Sequence, residues 1–73
     1  MAVKQLQLAS SSNVSAAEWN SDTMQLTVTF YSGGVGFYSG VGEQEALDFE
    51  RAPSPGRYVH NYLAPRFPWT RIA

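Results

Sequence analysis

The stretch MQLTVTFYSGGVGFYS, residues 24–39, decides the fold. From Met24 to Tyr31, apolar and polar side chains alternate and β-branched residues are frequent, a pattern typical of a strand with one buried face. Ser32-Gly33-Gly34 follows and closes a hairpin, because paired glycines readily adopt the positive φ angles of a primed turn. Val35 to Ser39 then returns as the partner strand, with Val35 and Phe37 on one face and Tyr38 on the other. The stretch predicts an antiparallel hairpin.

Further strands are predicted before this hairpin. Gln5 to Leu8 alternates polar and apolar residues, which indicates a short strand, and Val14 to Trp19 is a second candidate. The sequence Asn20-Ser21-Asp22-Thr23 is rich in turn-forming residues and would connect the second candidate to the hairpin.

Two helices are predicted after the hairpin. Glu43 to Ala52 carries acidic residues in its first turn and Arg51 near its end, an arrangement that suits the helix dipole. In the second helix, Ser54 would be the N-cap and Pro55 the first helical residue, and the helix should run to about Leu63. Trp69 to Ile72 could form a final edge strand.

The predicted fold class is therefore α+β: a small antiparallel sheet of three to four strands, a β-meander, with two short helices on one face. Residues 11–73 form the domain, and residues 1–10 form an N-terminal extension or a short strand. The predicted core consists of Leu26, Val28, Phe30, Phe37, Leu47, Phe49 and Leu63.

Size and composition limit the classes of function. A 73-residue chain buries only about 60% of its unfolded surface, and without cysteines it has no disulfides or thiolate zinc sites to stabilise it. We therefore expect a homo-oligomer with no cofactor and no metal. No run approaches the roughly 20 apolar residues that span a bilayer, so we expect no membrane association and a cytoplasmic location.

Charge is segregated along the chain. The net charge is −1, yet four of the five basic residues lie after residue 50 and all six acidic residues lie at or before it. The basic residues there alternate with aromatic ones. Arginine forks bind phosphate or carboxylate, and aromatic rings stack on bases, so this tail predicts a site for a nucleotide-like anion. The candidate ligand-binding residues are Ser54, Gly56, Arg57, Tyr58, Tyr62, Arg66, Trp69 and Arg71.

The strongest local argument concerns the start of the second helix. Free N–H groups at a helix N-terminus attract anions, and Gly56 would let a ligand approach the backbone closely. Arg57 places a positive charge where the helix dipole disfavours one, which suggests an anion nearby. The competing interpretation is structural: the aromatics form the core, and the arginines cover it with their alkyl stems.

In its order of motifs the chain resembles the lysyl-tRNA synthetase C-terminal (KTSC) domain family. The resemblance covers nearly everything after residue 10. In this respect the chain resembles the stand-alone bacterial or phage members of the family. The matching pieces are Ser11-Ser12-Asn13-Val14, Trp19-Asn20, Leu26–Phe30 with Ser32-Gly33-Gly34, Tyr38 with Gly40-Val41, Ala52–Tyr58, and the tail through Phe67 and Arg71-Ile72. Three positions depart from the family pattern: Gly36 replaces the first of two central tyrosines, Gly42 a proline, and Val59 an aromatic residue.

Three functions remain open at this point. We expect a non-catalytic protein that acts by holding a small phosphate-bearing ligand, with sequestration of that ligand as one form of this function. The resemblance implies RNA or single-stranded nucleic-acid binding instead, which the net charge disfavours. A protein–protein adaptor is the third alternative. His60, the single histidine, has no nucleophile motif or acidic partner beside it, so the sequence gives no support for an enzyme.

Overall fold

A computed structural model describes residues 3–10 and 13–73. In this part of the chain, five antiparallel strands form one sheet in the order β1-β2-β3-β4-β5, and two helices connect β4 to β5. The α+β meander is confirmed, with one strand more than predicted. The elements are β1 Val3–Gln5, β2 Val14–Asn20, β3 Gln25–Phe30, β4 Val35–Ser39, α1 Glu43–Arg51, α2 at residues 55–66, and β5 Trp69–Arg71.

The hairpin of β3 and β4 has a different register from the one predicted. Of the paired glycines only Gly33 has a positive φ, +99°, and Phe30 exchanges backbone hydrogen bonds with Gly33 and Gly34, so the loop consists of Tyr31, Ser32 and Gly33 rather than of Ser32-Gly33-Gly34. Directly opposite residues of an antiparallel pair share a face of the sheet. Tyr38 lies opposite Leu26 and therefore faces the helices. The prediction that Phe37 is a core residue was wrong, because Phe37 lies on the outer face of the sheet.

The core lies between the inner face of the sheet and the two helices. The predictions for Leu26, Val28, Phe49 and Leu63 are confirmed, since each is fully buried. Phe30 and Leu47 are only partly buried. The other buried apolar side chains of the core are Leu6, Val14, Ala17, Trp19, Tyr38, Val41, Ala46 and Val59.

Trp19 connects the sheet to the loop that precedes α1. Its indole Nε1–H donates a buried hydrogen bond of 2.8 Å to the carbonyl of Val41. The N–H of Val41 in turn donates to the carbonyl of Met24, 2.9 Å away. These two bonds hold the chain in place where it leaves β4.

We predict that Trp19→Phe lowers the free energy of unfolding by about 1–2 kcal/mol, because the buried Val41 carbonyl loses its partner. Urea denaturation followed by circular dichroism measures this loss. Tyr31→Phe, at a side chain that is 66% exposed, is the control and should change stability little. Equal stability of the Trp19 variant and the wild type would contradict a structural role for this bond.

The start of α1 follows the predicted charge pattern. The carboxylate of Glu45 accepts a hydrogen bond of 3.0 Å from the N–H of Gly42, which precedes the helix. Glu43 and Glu45 lie in the first turn and Arg51 in the last, as the dipole favours. The apolar side of α1 buries Phe49 against the sheet.

Besides its pairing with β2, the N-terminal segment is held by an acidic side chain of α1. The Glu50 carboxylate accepts a hydrogen bond of 2.8 Å from the N–H of Gln7 and one of 3.3 Å from Lys4 Nζ. The Gln7 N–H, followed by Lys4, holds the pKa of Glu50 below its usual value. The strand lies at Val3–Gln5 rather than at Gln5–Leu8 as predicted. With Leu6 buried in the core, residues 3–10 pack as part of the domain.

The second helical segment, α2, contains a widened turn. It comprises an α-helical turn at Pro55–Tyr58, a π-helical stretch at Val59–Leu63 and a last α-helical turn at Ala64–Arg66. The N–H of Ala64 donates to the carbonyl of Val59, five residues earlier. Pro65 has no N–H to donate, so a regular α-helix could not continue here with all its bonds. The segment extends beyond Leu63, where we expected it to end.

The helix start differs in one detail from the prediction. Ser54 occupies the N-cap position, and its carbonyl accepts the N–H of Tyr58 at 3.0 Å. Its hydroxyl, however, makes no capping hydrogen bond. Within residues 3–10 and 13–73, no helix is long and apolar enough to cross a membrane.

Candidate functional site

The predicted site residues fall into two regions. Along α2, a shallow groove is lined by Ser54, Arg57, Tyr58 and Tyr62. At the β5 edge of the sheet, a larger cleft is lined by Trp69 and Arg71. Gly56 lies half-buried in the first turn of α2, and Arg66 lies in its last turn.

Phe49 of α1 and two tyrosines of α2 form a column of rings, which we call the α2 stack. The ring centroids of Phe49 and Tyr58 are 5.4 Å apart, and those of Tyr58 and Tyr62 are 5.0 Å apart. The guanidinium carbon of Arg66 lies 4.2 Å from the centre of the Tyr62 ring. Each ring and the cation therefore already has an intramolecular partner, which favours the structural interpretation for Tyr58, Tyr62 and Arg66.

Tyr58 has the most perturbed ionisation in the stack. Its hydroxyl donates a hydrogen bond of 3.3 Å to the carbonyl of Glu45. Removal from water, and secondarily the negative charge of Asp48, raises its pKa to about 12. The side chain is therefore a neutral hydrogen-bond donor throughout the physiological range.

We predict that Tyr58 of the folded protein titrates near pH 12 in an ultraviolet difference titration, and that Tyr58→Phe removes its contribution to the absorbance change there. Because the pKa is raised above its ordinary value of 10.0, the folded state binds this proton more tightly than the unfolded state. The stability contributed by Tyr58 is complete below pH 10 and declines as the pH rises from about 10 to 12. Tyr31→Phe, which removes an exposed tyrosine, is the control for the loss of one tyrosine as such.

The groove along α2 has a volume of about 310 Å³. Pro53, Tyr58 and Tyr62 give it an apolar surface, and Asn61 and the exposed Arg57 add polar groups. The α-helical turn that opens α2 has only four residues, so its dipole adds little attraction for an anion. Arg57 is therefore the main positively charged group of the groove.

The cleft at the β5 edge has a volume of about 610 Å³. Its walls are formed by the inner face of the sheet, the β3–β4 turn, and the end of α2 with the residues that follow it. Its lining residues are Phe30, Ser32, Gly34, Tyr38, Ala64, Phe67, Pro68, Trp69 and Arg71. Such a volume, aromatic walls and one cationic group are typical of small-molecule sites.

Trp69 forms the aromatic wall of the cleft. Its ring centroid lies 4.8 Å from that of Tyr38 and 5.8 Å from that of Phe30, the latter in an edge-to-face arrangement. The indole lies across β4 at Gly36, where a Cβ atom would collide with the ring and would lie 2.5 Å from the carbonyl oxygen of Thr70. The absence of a side chain at Gly36 thus allows Trp69 to lie against the sheet. The indole remains 38% exposed.

Arg71 supplies the positive charge of the cleft in a fixed orientation. Its Nε–H donates a hydrogen bond of 2.8 Å to the carbonyl of Ala73. One terminal nitrogen, Nη2, lies over Gly34, 4.0 Å from the position that a Cβ atom would occupy there. The bond to Ala73 occupies one of the five guanidinium N–H groups, so the terminal nitrogens keep donors for a ligand.

Comparison with known proteins identifies the family. A family model of the KTSC domain matches residues 10–67. The chain belongs to the KTSC domain family. The crystal structure of the KTSC domain protein YPO2434 from Yersinia pestis is similar to this one, with a TM-score of 0.86 and 28% identity over 99% of this chain and 100% of that chain. No curated protein matches the sequence.

The two edge strands of this KTSC domain lie outside the residues that the family model matches. β1 ends at Gln5, before residue 10, and β5 begins at Trp69, after residue 67. The cleft therefore combines residues inside the matched region, such as Tyr38, with Trp69 and Arg71 beyond it. Gly36, the position that Trp69 covers, lies inside the matched region.

Several cleft residues were not predicted from the sequence of this KTSC domain. Tyr38 was assigned to the face opposite the predicted core, and Phe30 was assigned to the core. Phe67 was not assigned to the site. The correct hairpin register would have placed Tyr38 beside Leu26 and so on the same face as Trp69. For Phe67 no local signal exists, because its position depends on where α2 ends.

Proposed function

We propose that this KTSC domain is a non-catalytic protein that holds a small anionic ligand with a ring and a phosphate, as a nucleotide has, and thereby sequesters it. The ligand would lie in the cleft at the β5 edge, with its ring against Trp69 and its phosphate at Arg71. The observation that carries this proposal is that an exposed aromatic wall and an oriented guanidinium line the same cleft.

The physical chemistry of these two groups supports the proposal. Stacking of a base on an aromatic side chain contributes about 1–3 kcal/mol, and an arginine fork binds phosphate oxygens through paired, charge-assisted hydrogen bonds. Because Arg71 is already oriented by Ala73, less conformational entropy is lost when it binds a ligand. Burial raises the pKa of Tyr38, so its hydroxyl stays neutral beside the anion.

Binding to an RNA or DNA polymer has less support. Polymer binding depends on a row of cations along the phosphate backbone. On the outer face of the described strands, the one charged residue is Glu18, which would repel phosphates. The arginines occupy other surfaces, so nucleic acid would have no cationic track across the open sheet.

Calorimetry of the protein against mono-, di- and cyclic nucleotides tests the proposal. Arg71→Ala should weaken binding on the order of tenfold or more, because it removes a charge-assisted contact of roughly 1.5–3 kcal/mol. Arg71→Lys should recover part of the loss, since it restores the charge but not the fork. Arg51→Ala is the matched control, an exposed arginine at the end of α1, and should bind as the wild type does.

Each alternative gives a different result. If Arg57→Ala weakens binding and Arg71→Ala does not, the ligand occupies the α2 groove. Binding that falls steeply with salt and requires oligonucleotides would favour the nucleic-acid alternative. If no compound of the panel binds the wild type, the proposal of a nucleotide-like ligand fails.

A further inference from the structure

We propose that two copies of this protein associate through β5, whose free edge pairs with β5 of the second copy in an antiparallel register centred on Thr70. The result would be one continuous ten-stranded sheet. This proposal concerns the backbone edge and the outer face of β5, and it does not depend on the proposed ligand.

The hydrogen-bonding pattern leaves the outer edge of β5 free. On its inner edge, the carbonyl of Pro68 accepts the N–H of Ser39 at 3.1 Å, and the N–H of Ile72 donates to Val35 at 2.7 Å. Backbone groups of successive residues in a strand point to opposite edges. The N–H and C=O groups of Trp69 and Arg71 therefore point away from β4, towards the position of a sixth strand.

An acidic side chain of α1 covers part of the opposite edge of the sheet, whereas none of the described residues covers the outer edge of β5 in this way. Beside β1, the Glu50 carboxylate occupies the N–H of Gln7, and Lys4 carries a charge at the edge. Natural sheets use such charged side chains to prevent edge-to-edge pairing. At β5, the Arg71 side chain is turned inward to the carbonyl of Ala73, and Trp69 is turned inward over Gly36. A second strand could therefore approach β5 unobstructed.

The free groups determine the register. Pairing Trp69 of one copy with Arg71 of the other gives two hydrogen-bonded pairs, one on each side of a two-fold axis. Thr70 then faces Thr70 of the second copy in the intervening pair, with Cα atoms about 4.5 Å apart. This axis is perpendicular to the sheet, so both helical layers and both clefts would lie on the same side. A chain of this size without disulfides gains stability from such association.

Charge variants at Thr70 test both the interface and its register. Thr70 is exposed on the outer face, so a charged residue there should leave the single domain folded. Sedimentation velocity should show dimers of the wild type, whose chain mass is 8.1 kDa. Thr70→Lys and Thr70→Asp should each weaken dimerisation about tenfold or more, because like charges then face each other directly. An equimolar mixture of the two variants should form heterodimers.

Two controls separate this interface from association through another surface of the domain. Gln5→Lys places the same charge on the opposite edge strand and should leave the dimer unchanged. Arg51→Ala, which removes an arginine at the end of α1 and leaves β5 unchanged, should also dimerise. A wild type that stays monomeric at millimolar concentration would overturn the proposal. So would a dimer that tolerates Thr70→Lys, or a mixture of the two Thr70 variants that does not associate.

Discussion

Phe49→Ala should lower the free energy of unfolding by about 3–5 kcal/mol. Phe49 has no exposed surface, and its ring stacks on Tyr58 at 5.4 Å, so truncation leaves a cavity bounded by the sheet and the α2 stack. A domain of this length has a total stability of only about 4–11 kcal/mol. We therefore expect a variant that is largely unfolded at moderate urea concentrations, as circular dichroism would show.

Phe37→Ala is the matched control for this prediction. It removes the same ring from the outer face of the sheet, where Phe37 is only half-buried, and should cost markedly less. Phe30→Ala should lie between the two, because Phe30 packs against the core without being enclosed by it. If Phe37→Ala and Phe49→Ala destabilise the protein equally, the assignment of the two sheet faces is incorrect.

Gly36→Val should cost about 3 kcal/mol or more, at the upper end of the range for overpacking. The new Cβ would lie 2.5 Å from the carbonyl oxygen of Thr70 and would also collide with the indole of Trp69. The indole could rotate away, but the carbonyl belongs to the backbone of β5 and can move only with the strand. We therefore expect β5 to separate from β4, with faster amide hydrogen exchange in both strands by NMR.

A second glycine of the same hairpin provides the control. At Gly34, a Cβ would have no neighbour nearer than 3.9 Å, so Gly34→Ala should leave the exchange of β5 unchanged. The double variant Gly36→Val/Trp69→Ala distinguishes the two collisions. It should remain destabilised, because the contact with the Thr70 carbonyl persists. Recovery of wild-type stability would mean that the indole alone limits this position.

The architecture was largely predictable, because its signals are local. The alternation from Met24 to Phe30 and the acidic start of α1 determine their own elements. The face of β4 was not predictable, because it depends on whether two or three residues form the loop. The pair Gly33-Gly34 is compatible with both lengths. The two edge strands are short and exposed, and their pairing depends on partners distant in the sequence. The end of α2 was missed because its π-helical stretch carries the helix past Leu63.

The candidate site was only partly predictable for a similar reason. Trp69 and Arg71 were identified from residue type, but residue type does not reveal that they share a cleft with Tyr38. Tyr58 and Tyr62, four residues apart, share a face of α2 and stack on each other. The sequence did not predict that Phe49 would stack on Tyr58 or that Arg66 would lie over Tyr62. Those contacts arise from the packing of α1 on α2 and from the widened turn.

The widened turn of α2 also bears on how this protein can change in length. The π-helical stretch holds one residue more than a regular turn, so its five residues rotate the chain roughly as far as four residues of an α-helix do. Deleting one residue between Val59 and Leu63 would therefore restore a regular turn and leave Tyr58 and Phe67, on its two sides, in nearly the same relative orientation. Deleting one residue from the regular helix α1 would instead rotate its two ends by about 100° relative to each other. A one-residue deletion should therefore be tolerated better in this stretch, whose middle residues His60 and Asn61 are exposed to solvent, than in α1.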